Sequence, residues 1–247
     1  VTQKIVVLGA TSKLAQEIAR LAAAQGKELL LVARHPQRLA TVAGDMAARG
    51  ALRVDCVCAD LADISSHPAV VEEILAKMPD FDTLLLAYGT LSDQARAESS
   101  PEYTLSELTT NFTSAVSLLT RLSAILDSNK RGCIAVITSV AGDRARRSNY
   151  VYGTAKGALS LFTQGLRAKL ATTGVRVVTI KPGPVATPMT ANLPKASSFA
   201  DPEAVARTIY RELEHGKADI LYVPGYWRWI MAVIRLIPES IAKRMNF

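Results

Sequence analysis

No run of about 18 uninterrupted apolar residues occurs in the 247-residue chain, so no segment reads as a membrane-spanning helix. Cysteine is sparse. Cys56, Cys58 and Cys133 lie in apolar strand-like runs, and the Cys-x-Cys pair lacks the second pair a zinc site needs; buried free thiols and no metal are expected. Internal repeats, low-complexity tracts and interdomain linkers are also missing, which leaves one large α/β domain, its main body over residues 1–225 and a C-terminal extension over 226–247. With 49% apolar and 21% charged residues, a largely disordered chain is excluded. The formal charge of +7 is dispersed except at Arg144, Arg146, Arg147 and the C-terminal segment, which argues against a nucleic-acid partner. Val1 stands against the first apolar run without room for a secretory leader, so a cytoplasmic setting is expected.

What is present is a rhythm. Apolar runs of strand length at Ile5–Leu8, Leu29–Ala33, Val54–Ala59, Thr83–Ala87, Cys133–Thr138, Val175–Ile180 and Ile220–Val223 alternate with segments of helical period. Helices are expected from Leu14 onward and at Pro36–Ala48, Val70–Met78, Leu105–Leu126, Tyr152–Ala171 and Pro202–His215. Strands apolar on both faces imply a parallel sheet of about seven strands, covered on both sides in a doubly wound Rossmann-type fold. Ligands of such sheets bind beyond the carboxyl ends of the strands, where Gly9, Arg34, Asp60, Gly89, Ser139 and Gly183 all fall. The Pro182–Ala200 stretch reads as a mobile loop over that rim.

Tyr152 and Lys156 are one helical turn apart and share a face. A free phenol ionises near pH ~10, and an adjacent cation can lower that by ~1–3 units, which makes a poised proton donor. The bare spacing is common on exposed helices, so its weight depends on its neighbours.

Gly9-Ala10-Thr11-Ser12-Lys13-Leu14-Ala15 follows the first strand and opens the first helix, where backbone amides and the helix dipole favour a pyrophosphate. The three-glycine fingerprint is incomplete, with Lys13 and Ala15 in two glycine places. Lys13 either brings its ammonium near phosphate or is a solvated first-turn lysine. After the second strand, where NAD-binding folds place a carboxylate, stands Arg34, whose planar fork suits a 2′-phosphate; NADPH is favoured, with NADH as the alternative.

Taken together these residues resemble the short-chain dehydrogenase/reductase family over nearly the whole chain. The resemblance implies that Asp60, followed by Leu61, helps hold adenine, and that Leu86-Ala87-Tyr88-Gly89 is a variant of the family's Asn-Ala-Gly segment. It implies that Asn111 holds a proton-relay water, that Ser139 orients substrate, and that Tyr152 and Lys156 are the acid and its helper, Lys156 also binding the nicotinamide ribose. Pro182, Gly183, Val185 and Thr187 match the segment contacting the nicotinamide carboxamide. A homodimer or homotetramer is implied, with the Leu105–Leu126 and Tyr152–Ala171 helices as candidate pairing faces. The Gly142–Gly153 stretch and the tail are further similar to the polyprenylphosphoryl-2-ketoribose 2-reductases.

The expected chemistry is reduction of a ketone by NADPH, with Tyr152 donating the proton and Ser139 stabilising the developing charge. Arg144, Arg146 and Arg147 suit a phosphate-bearing substrate, or form a solvated basic loop. From Tyr226 to Phe247, Trp227, Trp229 and a broad apolar set alternate with Arg228, Arg235, Lys243 and Arg244, with Pro238 breaking the segment in two. Such a segment either lies in a bilayer interface, as a peripheral contact at the inner membrane face, or packs on the protein or a second subunit. Reduction of a soluble or acyl ketone, or a non-catalytic NADPH-sensing scaffold, are the competing readings.

Overall fold

The computed structural model describes residues 3–191, 193 and 199–245; part of the Pro182–Ala200 loop and the last two residues of the tail lie outside these. Among the described residues, seven parallel strands form one sheet: β1 (Lys4–Leu8), β2 (Glu28–Ala33), β3 (Arg53–Cys58), β4 (Thr83–Leu86), β5 (Gly132–Ile137), β6 (Val175–Pro182) and β7 (Ile220–Val223). Their order is β3-β2-β1-β4-β5-β6-β7, so the direction of winding reverses between β1 and β4. That reversal opens a crevice at the strand ends.

Alternation along each strand fills both faces of the sheet. Ile5 and Val7 join one apolar cluster with Ile18, Leu39, Ile209 and Leu213, while Val6 and Leu8 join another with Ile74, Leu118, Leu122 and Leu159. The first face carries α1 (Lys13–Ala24), α2 (Pro36–Ala48) and α8 (Pro202–His215); the second carries α3 (His67–Lys77), α6 (Ser114–Asn129) and α7 (Tyr150–Leu170). Both layers are needed because the central strands have no polar face to offer water.

Two expectations are corrected, and a third is refined. The helix expected at Leu105–Leu126 runs as α5 (Pro101–Leu108), a π-helical turn at Thr109–Thr113, and then α6, preceded by a short α4 (Gln94–Ser99) that periodicity had not marked. Cys58 is exposed and Cys56 only half-buried, because β3 is an edge strand with one side open; Cys133 alone is buried, and all three are free thiols. The tail breaks at Pro238, into α9 (Trp227–Leu236) and α10 (Glu239–Ala242), and α9 takes the reading in which it packs on the protein. Trp227, Met231 and Ile234 pack with Val140 and Tyr222 of the body.

Candidate active site

Ser139 is carried to α7 by three glycines. The turn after β5 lies on α7 where Gly153 and Gly157 expose bare backbone: a Cβ on Gly157 would stand 2.8 Å from the Gly142 carbonyl oxygen, and one on Gly142 would stand 2.6 Å from the Gly157 nitrogen. Both helix positions are one residue beyond Tyr152 and Lys156, so this backbone contact sets the distance from the serine to the tyrosine–lysine face. Gly165, two turns further along the same helix, has open space around it. Gly165→Ala is therefore expected to stabilise the protein by about 0.5–1 kcal/mol in urea unfolding. The same change at Gly157 is expected to destabilise it by about 1–3 kcal/mol through overpacking and to lower turnover by moving Ser139.

Ser139 is extended, and its hydroxyl accepts from the Ala141 amide at 3.1 Å, capping a short 3₁₀ turn. Burial raises the Tyr152 phenol above its ordinary value; a hydrogen bond with Ser139 and the positive charge of Arg146 oppose that. Lys156 is buried, with its ammonium pushed down to about 8 by burial and lying 5.9 Å from the Tyr152 ring centroid. Lys156 thus stands beside the phenol as expected, and Arg146, from the preceding loop, adds a second positive charge that favours the ionised phenol.

Asn111 sits inside the π-helical turn, almost fully buried. Its Oδ1 accepts from the Thr90 amide at 3.0 Å, and its Nδ2 donates to Thr90 Oγ1 at 3.0 Å and to the Glu107 carbonyl at 3.1 Å. The side chain is a clamp on the loop after β4. Glu107, which sequence reasoning missed, completes it: its carboxylate accepts from Thr90 Oγ1 and Ser92 Oγ, each at 2.8 Å. Gly89, at φ +149°, lets this clamp close on the lysine, since a Cβ there would be 2.5 Å from Asn111 Oδ1 and 3.1 Å from Lys156 Nζ. A glutamate four residues before a helix asparagine was the available signal.

The residues along the crevice suit a dinucleotide. Gly9 has φ +87°, and a Cβ would lie 2.5 Å from that of Tyr88, so only glycine allows the turn from β1 to pass under the β4 loop. Thr11 and Ser12 follow, and Ser12 caps α1 by accepting from the Ala15 amide. The amides of Lys13 and Leu14 point out of the helix start without intrahelical acceptors, the arrangement that receives a pyrophosphate. Ala15 is buried against the sheet, so its methyl is accommodated. The Lys13 ammonium turns along the helix to pair with Glu17 Oε1 at 2.5 Å, while its side chain stays partly open to solvent.

At the other end of the crevice Arg34 and Asp60 are exposed and face each other, with Nη1 4.0 Å from Oδ2. Leu61 is buried, and its carbonyl bonds to Nε2 of the buried His67, which a sequence reading passes over. Ala87 is buried at the end of β4, whereas Tyr88 packs inward and bonds Ser114 Oγ at 2.9 Å, so this side chain supports the fold and does not line the crevice. Pro182 ends β6, Val185 is buried, and Thr187 starts a 3₁₀ turn in which its amide donates to Thr190 Oγ1 at 3.1 Å.

The three arginines have separate fates. Arg144 bonds Glu239 of α10 at 2.7 Å, Arg146 is half-buried beside Tyr152, and Arg147 is exposed. Asp143, between them and Ser139, is tied to Lys181 of β6 and accepts from Tyr222 Oη of β7 at 2.6 Å, which anchors the loop.

The arrangement recurs in known proteins. A family model described as short chain dehydrogenase matches residues 3–198. An uncharacterized oxidoreductase of Mycobacterium tuberculosis is 37% identical over 241 residues, covering 98% of this chain and 96% of that protein. Another, of Streptomyces coelicolor, is 36% identical over 244 residues, with 98% and 96% covered. Among solved structures, a short-chain dehydrogenase from Streptomyces avermitilis superposes with a TM-score of 0.82 at 19% identity, covering 95% of this chain and 93% of that one. A short chain dehydrogenase from Burkholderia cenocepacia, solved with NADP, superposes at 0.78 and 24% identity, with 96% and 98% covered. With a crevice suited to a dinucleotide and a serine, tyrosine and lysine gathered at its rim, the chain belongs to the short chain dehydrogenase family and is an NAD(P)-dependent oxidoreductase.

Proposed function

We propose that the protein reduces the ketone of a phosphorylated or lipid-linked keto sugar, with NADPH as the favoured cofactor and NADH as the alternative. The observation that carries this reading is the meeting of Ser139, Tyr152 and Lys156 beside a loop whose half-buried Arg146 acts on the Tyr152 phenol. Gly9, Thr11, Ser12, Lys13 and Leu14 hold the pyrophosphate by backbone amides, Arg34 meets the 2′-phosphate, and Asp60 and Leu61 border the adenine. Ala87, Gly89, Pro182, Gly183, Val185 and Thr187 border the nicotinamide end. Bound there, the cofactor supplies hydride. Tyr152 gives its proton to the carbonyl oxygen, Ser139 hydrogen-bonds that oxygen as charge develops, and Lys156 holds positive charge against the ribose. Asn111 and Glu107 fix the loop that separates the two halves.

The substrate class is supported by the arginine loop and by α9, whose outer face leaves Trp229 71%, Val233 64% and Leu236 83% exposed among Arg228 and Arg235. That face suits an anionic bilayer surface, with the protein on its cytoplasmic side. No helix of the described residues is long and apolar enough to cross a membrane. The polyprenylphosphoryl-2-ketoribose 2-reductases remain the branch this combination suits best. Self-association through α5 and α7 is supported by Leu105 and Leu161, which are 63% and 69% exposed.

The test is turnover of a phosphorylated 2-keto sugar, offered free and polyprenyl-linked in anionic vesicles, with NADPH and with NADH. Higher kcat/KM for the vesicle-borne substrate with NADPH is expected. Reduction of simple uncharged ketones in preference to both would overturn the substrate class.

A further inference from the structure

Two donors beside Ser139 have no acceptor among the described residues. The Trp227 indole N–H is buried without a hydrogen-bond partner. It reaches that depth because Gly183 has no side chain: a Cβ there would be 1.9 Å from Nε1. The Arg146 guanidinium makes no ion pair, although its neighbour Arg144 is neutralised by Glu239. Both line one cavity of about 20 Å³ with Val140, Arg144, Met231 and Ile234, beside the turn that carries Ser139.

Leaving a buried donor unmatched is costly, and a half-buried cation without a counter-charge adds to that cost. Indole N–H and guanidinium can only donate, so what completes them is an acceptor, and a negative one. A planar guanidinium with a neighbouring single donor matches the several oxygens of a phosphate better than a ketone or hydroxyl. The cavity has room for about one water, so the anion is met at its mouth, by Arg146 directly and by the indole directly or through that water.

We propose that Arg146 and Trp227 form an anion subsite that holds the phosphate ester of the substrate while Ser139 and Tyr152 hold its carbonyl oxygen. This rests on the reductase reading above and assigns the phosphate to two residues, one of them from the C-terminal helix. Arg144, engaged by Glu239, and Arg147, turned to solvent, are not its ligands.

The chain has two tryptophans, so Trp229→Phe leaves Trp227 as the only indole reporter. With saturating NADP⁺ present, so that the phosphate contacts at α1 are taken, a phosphorylated 2-keto pentose and its unphosphorylated parent are titrated against Trp227 emission. Vesicles of phosphatidic acid and of phosphatidylcholine form a second pair. A saturable response to the sugar phosphate is expected, at least tenfold weaker in Arg146→Gln, partly restored in Arg146→Lys and unchanged in Arg207→Gln. A response confined to phosphatidic acid vesicles, with the same dependence on Arg146, places the phosphate on a lipid headgroup. Equal affinity for sugar phosphate and parent, or an Arg146→Gln affinity within twofold in a variant of unaltered thermal unfolding, overturns the subsite. Phosphate binding without reduction of any keto compound would instead reject the substrate reading and leave the subsite standing.

Discussion

Tyr152→Phe is expected to lower ketone reduction by about 10³-fold while the dissociation constant for NADPH stays within about twofold, because a positioned general acid contributes on the order of 10²–10⁴ in rate. The substitution removes one hydroxyl and keeps the ring against Lys156, so the helix and its packing on the 139–142 turn are retained. Stopped-flow oxidation of NADPH separates the two effects: binding amplitudes persist and the single-turnover rate collapses. Ser139→Ala should lose less, since it removes a donor to the oxygen and leaves the acid in place. Single-turnover rates for Tyr152→Phe close to those of the unaltered protein would remove the phenol from the mechanism.

Lys156→Met is expected to make the protein more stable and far less active. Burial lowers this lysine from 10.5 to about 8, so at pH 7 the folded protein carries a charge that its surroundings disfavour. The unfolded chain holds the proton up to 10.5, whereas the folded chain releases it near 8, so stability rises with pH between those values and is lowest, as far as this group is concerned, below 8. A gap of that size corresponds to roughly 3 kcal/mol at pH 7. Methionine keeps the aliphatic stem without the charge. Urea unfolding without cofactor at pH 7 and pH 9.5 should show the unaltered protein gaining stability and Lys156→Met remaining level, with the variant more stable at pH 7. Identical pH profiles would show that the lysine is not held in a disfavoured state. The free-enzyme value also predicts that kcat/KM for the cofactor falls as pH rises through about 8, as the cation is lost.

How much of this could be read beforehand depends on whether the signal is local. Apolar runs such as Leu29–Ala33 and Val175–Ile180 announce central strands because both of their faces are buried, and the structure places them there. The tyrosine and lysine share a helix, so one turn of spacing was enough to pair them. Cys58 was misjudged because edge position is a property of sheet order, which no window of neighbouring residues contains. Composition gives no sign that a helix will loosen into a π turn at Thr109–Thr113, since the turn is stabilised by the Glu107 and Thr90 contacts of Asn111. Arg146 was visible as one of three loop arginines, but its separation from Arg144 depends on Glu239, 93 residues away in sequence from Arg146. Trp227 read as part of a lipid-seeking stripe; the glycine that draws its indole inward is on another strand end.

The packing of Trp227, Met231 and Ile234 on Val140 also bears on how the enzyme is made. During synthesis the dinucleotide crevice between β1 and β4 can assemble while the chain is still growing, since all its walls precede residue 190 or so apart from α8. The serine's flank cannot: it stays bare until the residues beyond 226 have been translated. A nascent chain therefore closes the flank of Ser139 last, after every strand of the sheet has been made.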